Sequence, residues 1–409
     1  MIRLLSLKNT FLLFLFSLGA CSLFKGESQT AEMALNIPQA SAPVPAAQDL
    51  AAYLPRLKGK TIAVVANQTS VLGNDNGTYT HLVDTLLDHG ISISKVFAPE
   101  HGFRGQADAG ETVKDGVDKQ TGLSVISLYG KNKKPSADQL EELDLVVFDI
   151  QDVGVRFYTY ISTLHYVMEA CAEKGIPVMV LDRPNPNGSY IDGPTLESEH
   201  QSFLGMHPIP LVHGMTIAEY AQMINGEGWL SDNLTCELEI VQMKGYQREM
   251  TYSLPIRPSP NLPNDQSIVL YPSLGLFEGT HINAGRGTEF QFQRFGAPFL
   301  DQNHFGFSYT PQPNFGAKDP KHNGALCYGK DLSSEPAPGK VDLQWIIEAY
   351  QNTADKTKFF KDRSFTLHAG TEKVREQIEK GMTASEIRAT WKDDLERFKE
   401  MRKAYLIYP

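Results

Sequence analysis

The sequence predicts an α/β protein whose first half forms a Rossmann-like parallel sheet. Five apolar runs with the composition of strands occupy residues 61–66, 91–97, 124–128, 145–150 and 177–181. Apolar residues with helical spacing lie between them, over 80–89 and 159–174, and a shorter helix is predicted over 137–143. Strands that alternate with helices are typical of βαβ units, which build parallel sheets.

From about residue 200 onward the pattern changes to mixed α/β. Thr216 and Glu219 predict a capping box that opens a helix to Asn225, and residues 236–243 alternate as a strand does. Residues 255–315 are rich in Pro, Gly, Asn and aromatics, and they show little periodicity. A second capping box at Thr383 predicts one long helix to about residue 403. We therefore predict a Rossmann-like catalytic subdomain over 51–200 and a mixed α/β subdomain over 201–409 that completes an active cleft.

The N-terminal segment is predicted to direct export and anchoring. Residues 1–20 combine early positive charges with a short apolar stretch, and they end in Leu18-Gly19-Ala20-Cys21. This ending resembles the lipobox of bacterial lipoproteins, which predicts lipidation at Cys21; the alternative is an ordinary secretory signal with an incidental cysteine. Ser22 in place of a retaining aspartate favours an outer-membrane lipoprotein that faces the periplasm. Residues 21–50 predict a flexible tether.

Composition restricts the partners. The net charge is −10 and no basic block occurs, which argues against nucleic acid as a partner. Contact with the membrane is expected only through the lipid anchor. Cys171, Cys236 and Cys327 have no CxxC spacing, so neither a zinc site nor a disulfide scaffold is predicted, and Cys171 is expected to be a buried thiol. No GxGxxG follows the first strand and no GxSxG occurs, and we predict no cofactor.

Dense polar motifs follow the predicted strands. In an open parallel sheet the ligand binds outside the carboxyl ends of the strands, so these motifs are expected to converge. Glu100 follows the second strand directly and is either a general acid or a structural carboxylate. Asp149, Asp152 and Asp182 end later strands, where they either organise loops or, with His101 or His213, bind a divalent cation. Arginines in the motifs and in Gly- and Pro-rich segments are candidates for binding an anionic ligand, because arginine matches a carboxylate bidentately. Many of them are expected to pair internally with aspartates instead. They are Arg104, Arg156, Arg183, Arg257, Arg286 and Arg294.

Read together, these motifs resemble the NamZ-type exo-β-N-acetylmuramidases of glycoside hydrolase family 171. The resemblance runs from about residue 55 to the C-terminus. The matching motifs are 99–105 (PEHGFRG), 109–111 (AGE), 127–130 (SLYG), 149–154 (DIQDVG), 156–160 (RFYTY), 181–186 (LDRPNP), 213–216 (HGMT), 258–261 (PSPN), 278–280 (EGT), 285–288 (GRGT) and 296–298 (GAP). Residues 289–295 depart from the family, which more often has a Pro-Phe-Glu core there.

The resemblance implies release of terminal, non-reducing β-1,4-linked N-acetylmuramic acid (MurNAc) from peptidoglycan fragments during cell-wall turnover. It also implies that Glu100 is catalytic. We take Glu100 as the general acid, with Glu278 as the first choice for the second carboxylate and Asp152 as the next. MurNAc carries a lactyl carboxylate, which favours arginine in the pocket. The predicted substrate-binding residues are His101, Arg104, Tyr129, Gln151, Arg156, Tyr158, Arg183, Asn261 and Arg286.

Three mechanisms of cleavage and two other functions stay open at this point. The sequence predicts neither retention nor inversion of configuration, and the acetamido group of the substrate could take part, oriented by Asp152. A non-catalytic lipoprotein that binds muropeptides would need the arginines and aromatics without paired carboxylates. A metal-dependent hydrolase of another bond would lose its activity with a chelator.

Overall fold

The structure is a computed structural model that describes residues 42–105, 111 and 114–409. The predicted signal segment, Cys21 and the tether up to residue 41 lie outside these residues. The described strands are β1 Thr61–Ala66, β2 Val71–Gly73, β3 Tyr79–His81, β4 Ser92–Ala98, β5 Gly116–Val117, β6 Ser124–Ser127, β7 Leu145–Asp149, β8 Val178–Leu181, β9 Asp192–Thr195, β10 Pro210–Val212, β11 Leu238–Val241, β12 Arg294–Ala297, β13 Phe307–Tyr309 and β14 Cys327–Asp331. The described α-helices are α1 Leu50–Leu57, α2 Leu82–Asp88, α3 Tyr160–Lys174, α4 Ile217–Gly226, α5 Asp265–Leu274, α6 Gln344–Gln351, α7 Asp362–Ala369, α8 Lys373–Glu379, α9 Ala384–Ala389 and α10 Lys392–Arg402.

Seven of these strands form the central sheet, in the order β11-β8-β7-β1-β4-β6-β5. All neighbouring pairs are parallel except β5 and β6. The central strands are almost entirely buried, as expected where helices cover both faces of a parallel sheet. This confirms the predicted α/β class with a mostly parallel sheet.

Alternation along the strands divides the core into two layers. On one face, side chains such as Val65 and Phe148 pack in a cluster that includes α3 and α4 and continues through the C-terminal half, as far as Phe398. On the other face, Val64 and its neighbours pack against α1 and α2, where Tyr53 is fully buried. The C-terminal half therefore shares one core with the face of the sheet that carries α3.

The second half adds a small antiparallel sheet and a helical segment. Strands β12, β14 and β13 pair in that order, and the turn Gly275–Gly279 packs against α7. None of the helices in the described part of the chain is long and apolar enough to cross a membrane. Cys171, Cys236 and Cys327 are buried free thiols.

Two expectations about local structure are corrected. The stretch 255–315 is not only loop: it contains α5, which begins at a capping box of Asn264 and Ser267 and tolerates Pro272 near its end. The predicted long C-terminal helix is divided into α9 and α10. The last turn of α9 tightens, because the N–H groups of Thr390 and Trp391 bond to carbonyls three residues back, and Trp391 enters the core.

The folded region also begins before residue 50. Val44 pairs with Lys244, Ala46 and Ala47 are buried, and the N–H of Ala46 donates to the carbonyl of Asp182 at 2.9 Å. The last residues of the predicted tether therefore pack beside β8 and the segment that follows β11.

Candidate active site

A cavity of about 690 Å³ is lined by residues that follow β4, β6 and β7 and by loops of the C-terminal half. From the sheet come Glu100, His101, Tyr129 and the segment 157–159. From the C-terminal half come Tyr271, Glu278 and Arg286, together with the segment 316–321 and His368. This is the edge of the sheet at which a parallel α/β fold binds ligands.

Glu100 is held at the cavity by a tight turn and by two hydroxyl groups. His101 and Gly102 both have positive φ, at 71° and 76°, and the N–H of Gly102 donates to the carbonyl of Pro99 at 3.0 Å. A histidine in the left-handed region is strained, and such strain clusters at functional sites. The hydroxyl of Thr159 donates to Oε2 of Glu100 at 2.8 Å. Tyr129 is also hydrogen-bonded to Glu100, and burial, reinforced by that carboxylate, raises the pKa of the Tyr129 phenol.

Glu278 lies in the same cavity among cations. It is part of the 3₁₀ turn Gly275–Gly279, and Nε of Arg286 donates to its Oε1 at 3.2 Å. Burial alone would raise the pKa of Glu278, but the charges of Arg286 and Lys321 outweigh burial and lower that pKa to about 2. Glu278 is therefore ionised at neutral pH.

Lys321 organises the segment that carries Glu278. Its ammonium donates to the carbonyls of Phe277 and Thr280, both at 2.9 Å, and to that of Ile282 at 3.1 Å. Burial lowers the pKa of Lys321 to about 8, although the carboxylate of Glu278 opposes this. A single buried ammonium thus fixes the backbone around the carboxylate.

Arg286 is bonded to Glu278 and lies within electrostatic reach of Glu100. Burial lowers the pKa of Arg286, but the Glu278 carboxylate and, more weakly, Glu100 raise it, with a net increase. Its guanidinium lies 5.2 Å from the ring centre of Phe292. Of its three nitrogens, Nε is the one bonded to a described residue, and Arg286 lines the cavity. Among the residues that the structure describes, neither terminal nitrogen has a hydrogen-bond partner.

Aromatic rings form a further wall of the cavity. Phe157 and Tyr158 both pack edge-on against Tyr271, with ring centres 5.2 Å and 6.0 Å apart. The Tyr158 hydroxyl donates to the carbonyl of Pro258 at 2.6 Å, which connects this wall to the PSPN motif at residues 258–261. Burial raises the pKa of Tyr158 well above its usual value, so its phenol stays neutral.

Three of the predicted arginines do not line the cavity. Arg104 binds Asp118 through Nε at 3.2 Å and through a terminal nitrogen at 2.8 Å. Arg183 forms a buried bidentate pair with Asp149, at 2.6 Å and 2.8 Å. Both arginines therefore pair internally, as was expected for many of the arginines.

Arg156 has a structural environment of a different kind. It is fully buried, and its terminal nitrogens donate to four backbone carbonyls. The acceptors are the carbonyls of Pro194, Ile209, His368 and Ala369. Burial lowers the pKa of Arg156 to about 9. This arginine therefore connects β9 and the residue before β10 to the end of α7.

Asp152, Gln151 and Asn261 are buried beside the cavity and are not part of its lining. Asp152 accepts from the N–H of Gly154 at 2.6 Å, and burial raises its pKa to about 7. Gln151 donates to the carbonyls of Asp152 and Pro184, at 2.8 Å and 2.6 Å. Asn261 donates to the carbonyl of Gly316 at 2.6 Å. All three stabilise loops around the cavity.

Several cavity residues were not predicted from the sequence. Thr159, Tyr271, Lys321 and His368 line the cavity, yet none of them ends a strand of the central sheet. Thr159 stands inside the RFYTY motif, so the motif offered a signal for it. Lys321 lies 80 residues and His368 127 residues beyond Val241, where the last strand of the central sheet ends, and no local pattern marks them.

A carboxylate-lined cavity at the carboxyl edge of a parallel sheet defines an α/β protein with an enzyme-like site. The model of the exo-beta-N-acetylmuramidase NamZ N-terminal domain matches residues 62–266, and that of the C-terminal domain matches residues 269–408. The chain belongs to this family.

Individual relatives agree with that assignment. The chain is 41% identical over 375 residues to the peptidoglycan beta-N-acetylmuramidase NamZ of Bacillus subtilis strain 168, covering 87% of this chain and 89% of the relative. Two crystal structures of DUF1343 family proteins from Bacteroides fragilis NCTC 9343 are similar, with TM-scores of 0.82 and 0.75 and identities of 42% and 28%. Each match covers 90% of this chain and 99% of the chain in the crystal structure.

Proposed function

We propose that this protein is an exo-acting glycosidase that releases terminal, non-reducing β-1,4-linked MurNAc from peptidoglycan fragments. The observation that carries the proposal is that Glu100 and Glu278 line one cavity. Both act electrostatically on Tyr271 and on Arg286. Family membership and the activity named for the Bacillus subtilis relative support the same conclusion.

The two carboxyl groups have different environments, which suits different roles. Glu278 is ionised beside Arg286, so it cannot deliver a proton at neutral pH. Glu100 contacts the hydroxyls of Thr159 and Tyr129, which hold the carboxyl in place at the cavity. Glu100 is therefore assigned as the general acid that protonates the glycosidic oxygen as the bond to the leaving sugar breaks.

Glu278 is assigned as the second carboxylate. In a retaining glycosidase an ionised carboxylate attacks the anomeric carbon, and in an inverting one it activates a water. Either role needs the charged form, which Arg286 and Lys321 maintain. The anomeric configuration of the first-formed MurNAc, followed by NMR, distinguishes the two roles.

Arg286 is assigned to the lactyl carboxylate of MurNAc. Its Nε donates to Glu278, and the residue lines the cavity. Arginine's planar fork binds carboxylates bidentately, and N-acetylglucosamine (GlcNAc) has no such group. Arg286 thus provides a physical basis for choosing MurNAc over GlcNAc.

The experiment that tests the activity uses two disaccharides with opposite sequence. The purified protein is incubated with MurNAc-β-1,4-GlcNAc and with GlcNAc-β-1,4-MurNAc, and the products are identified by mass spectrometry. Equimolar MurNAc and GlcNAc from the first disaccharide alone are expected. Binding of both without cleavage would instead support a muropeptide-binding protein, a reading that paired cavity carboxylates do not favour.

The proposal extends to location. The LGAC motif and the short apolar stretch before it support a lipoprotein anchored at Cys21, in the outer membrane and facing the periplasm, beside its substrate. The test is metabolic labelling with an alkyne fatty acid in a bacterial host, comparing the wild type with Cys21→Ala. Label in the wild type alone is expected. Equal label in both would contradict the anchor.

A further inference from the structure

A row of aromatic rings extends away from the cavity. Tyr129, which lines the cavity, lies 6.1 Å from Phe203 between ring centres, and Phe203 stacks on Tyr166 at 6.2 Å with an interplanar angle of 17°. All three residues are only partly buried. We call Tyr129, Phe203 and Tyr166 the aromatic row.

The aromatic row begins beside the general acid. Tyr129 is hydrogen-bonded to Glu100, and Leu204, the neighbour of Phe203 in the chain, also lines the cavity. A general acid stands next to the glycosidic oxygen, and the leaving sugar is attached to that oxygen. The row therefore extends from the side of the cavity at which the leaving part of a saccharide would sit.

The length and polarity of the row fit a chain rather than one sugar. Two successive spacings of 6.1 Å and 6.2 Å separate its three rings. The ammonium of Lys133 lies 4.6 Å from the ring centre of Phe203, so a flexible cation accompanies the apolar surface. Apolar sugar faces pack on aromatic rings, and an ammonium attracts carboxylates.

We propose that Phe203, Tyr166 and Lys133, continuing from Tyr129, bind the leaving portion of a glycan chain, a saccharide that carries carboxylate groups. The inference rests on the proposed function, because it takes Glu100 as the acid next to the leaving sugar. It adds a second binding region, which makes a longer chain a better substrate than a single glycoside. A ring cluster with a purely structural role would not distinguish chain lengths.

The test compares two substrates on the same variants. One is a chromogenic MurNAc glycoside, and the other is a MurNAc-GlcNAc tetrasaccharide. For Phe203→Ala, KM for the tetrasaccharide is expected to rise about three- to ten-fold more than KM for the chromogenic glycoside. Tyr79→Ala, at a half-exposed aromatic on β3 outside the cavity lining, is the control. An equal change with both substrates, or no change, would overturn the proposal.

A second variant keeps the test independent of folding. Lys133→Ala removes only a partly exposed side chain, and it is expected to raise KM for the tetrasaccharide, with Lys133→Arg restoring it. Lys131→Ala, two residues away and exposed, is the matched control and should behave as the wild type. Equal behaviour of Lys133→Ala and Lys131→Ala would contradict the proposal. If the wild type cleaved neither substrate, the proposed function itself would fail, and the proposal with it.

Discussion

Nε of Arg286 donates to Oε1 of Glu278 at 3.2 Å, and this bond holds a guanidinium and an ionised carboxylate side by side in the cavity. The pair gives the site two functions in one contact. The arginine keeps the carboxylate charged, and under the proposed function the same arginine binds the lactyl carboxylate of the substrate. Glu100 lies within electrostatic reach of the same arginine.

Replacing the general acid should abolish turnover but retain binding. Glu100→Gln keeps the shape of the side chain and can still contact Thr159, but it has no proton to deliver. A fall in kcat of about 10²–10⁴-fold is expected with little change in affinity. Steady-state kinetics with a chromogenic MurNAc glycoside, and calorimetric binding of MurNAc-GlcNAc, measure the two effects. Full activity would remove Glu100 from the mechanism.

Replacing the second carboxylate, Glu278, should also lower kcat. In the wild type, protonation of Glu278 should not contribute to the pH dependence of the rate in the range where the enzyme is assayed. Glu278→Gln is expected to reduce kcat by a comparable factor, about 10²–10⁴-fold. Because the pKa of Glu278 is about 2, the wild-type rate should not fall through protonation of Glu278 above about pH 4. Glu335→Gln, at an exposed carboxylate outside the cavity lining, is the matched control. Wild-type kcat in Glu278→Gln would contradict the assignment.

Selectivity for the lactyl group should depend on Arg286. Arg286→Lys preserves the charge but loses the planar fork, so KM for the MurNAc glycoside is expected to rise about 10- to 100-fold. A lactyl amide analogue, which lacks the charge, should be a poor substrate for both proteins. Unchanged KM in the variant, or equal use of the acid and the amide by the wild type, would show that another group binds the lactyl carboxylate.

Asp152 should affect stability in a pH-dependent way. Burial raises its pKa to about 7 from the usual 3.8, so the folded protein holds a proton that the unfolded chain has lost. Its stabilising contribution is complete below about pH 4 and is lost as the pH rises through about 7. Asp152→Asn cannot ionise, and its stability relative to the wild type should rise by about 1.4 kcal/mol per pH unit across that window.

Urea unfolding of both proteins from about pH 4 to pH 8 measures this difference. Activity of Asp152→Asn at neutral pH is expected to persist, because Asp152 does not line the cavity. A constant stability difference would contradict the shifted pKa. Loss of kcat in a stably folded variant would instead restore Asp152 as a catalytic candidate.

Arg183 should contribute to stability. Arg183→Leu leaves the buried carboxylate of Asp149 without its bidentate partner, which is expected to cost about 3–5 kcal/mol in the free energy of unfolding. Lys403→Ala, which breaks an exposed pair with Glu400, should cost about 0–1 kcal/mol. A normal stability with a raised KM for the MurNAc glycoside would show that Arg183 binds substrate after all.

The sheet was predictable because its strands are buried on both faces. The first run, 61–66, coincides with β1, and the other four agree with their strands within one residue at either end. The capping boxes at Thr216 and Thr383 are both formed, because their Glu partners stand three residues on. By contrast, the capping box of α5 is formed by Asn264 and Ser267, which is a weaker sequence signal, and the helix contains Pro272. Local patterns decide local structure here.

Topology made the site residues that end strands predictable, whereas Glu278 and Arg286 were predicted only through the family motifs. Glu100 and Tyr129 follow β4 and β6, so topology brings them together. The partners of the arginines could not be read from spacing: Asp118 is 14 residues from Arg104, and Ala369 is 213 residues from Arg156. Likewise, Lys321 acquires its role from backbone carbonyls about forty residues earlier. These partners are determined by long-range packing, which single motifs do not encode.

Sugar selectivity and the role of Glu100 can be measured in one experiment. The purified protein is given chromogenic β-glycosides of MurNAc and of GlcNAc, in parallel with Glu100→Gln. The wild type is expected to release the chromophore from the MurNAc compound and little from the GlcNAc compound, and the variant is expected to release almost none. Equal release from both sugars, or equal release by both proteins, would contradict it.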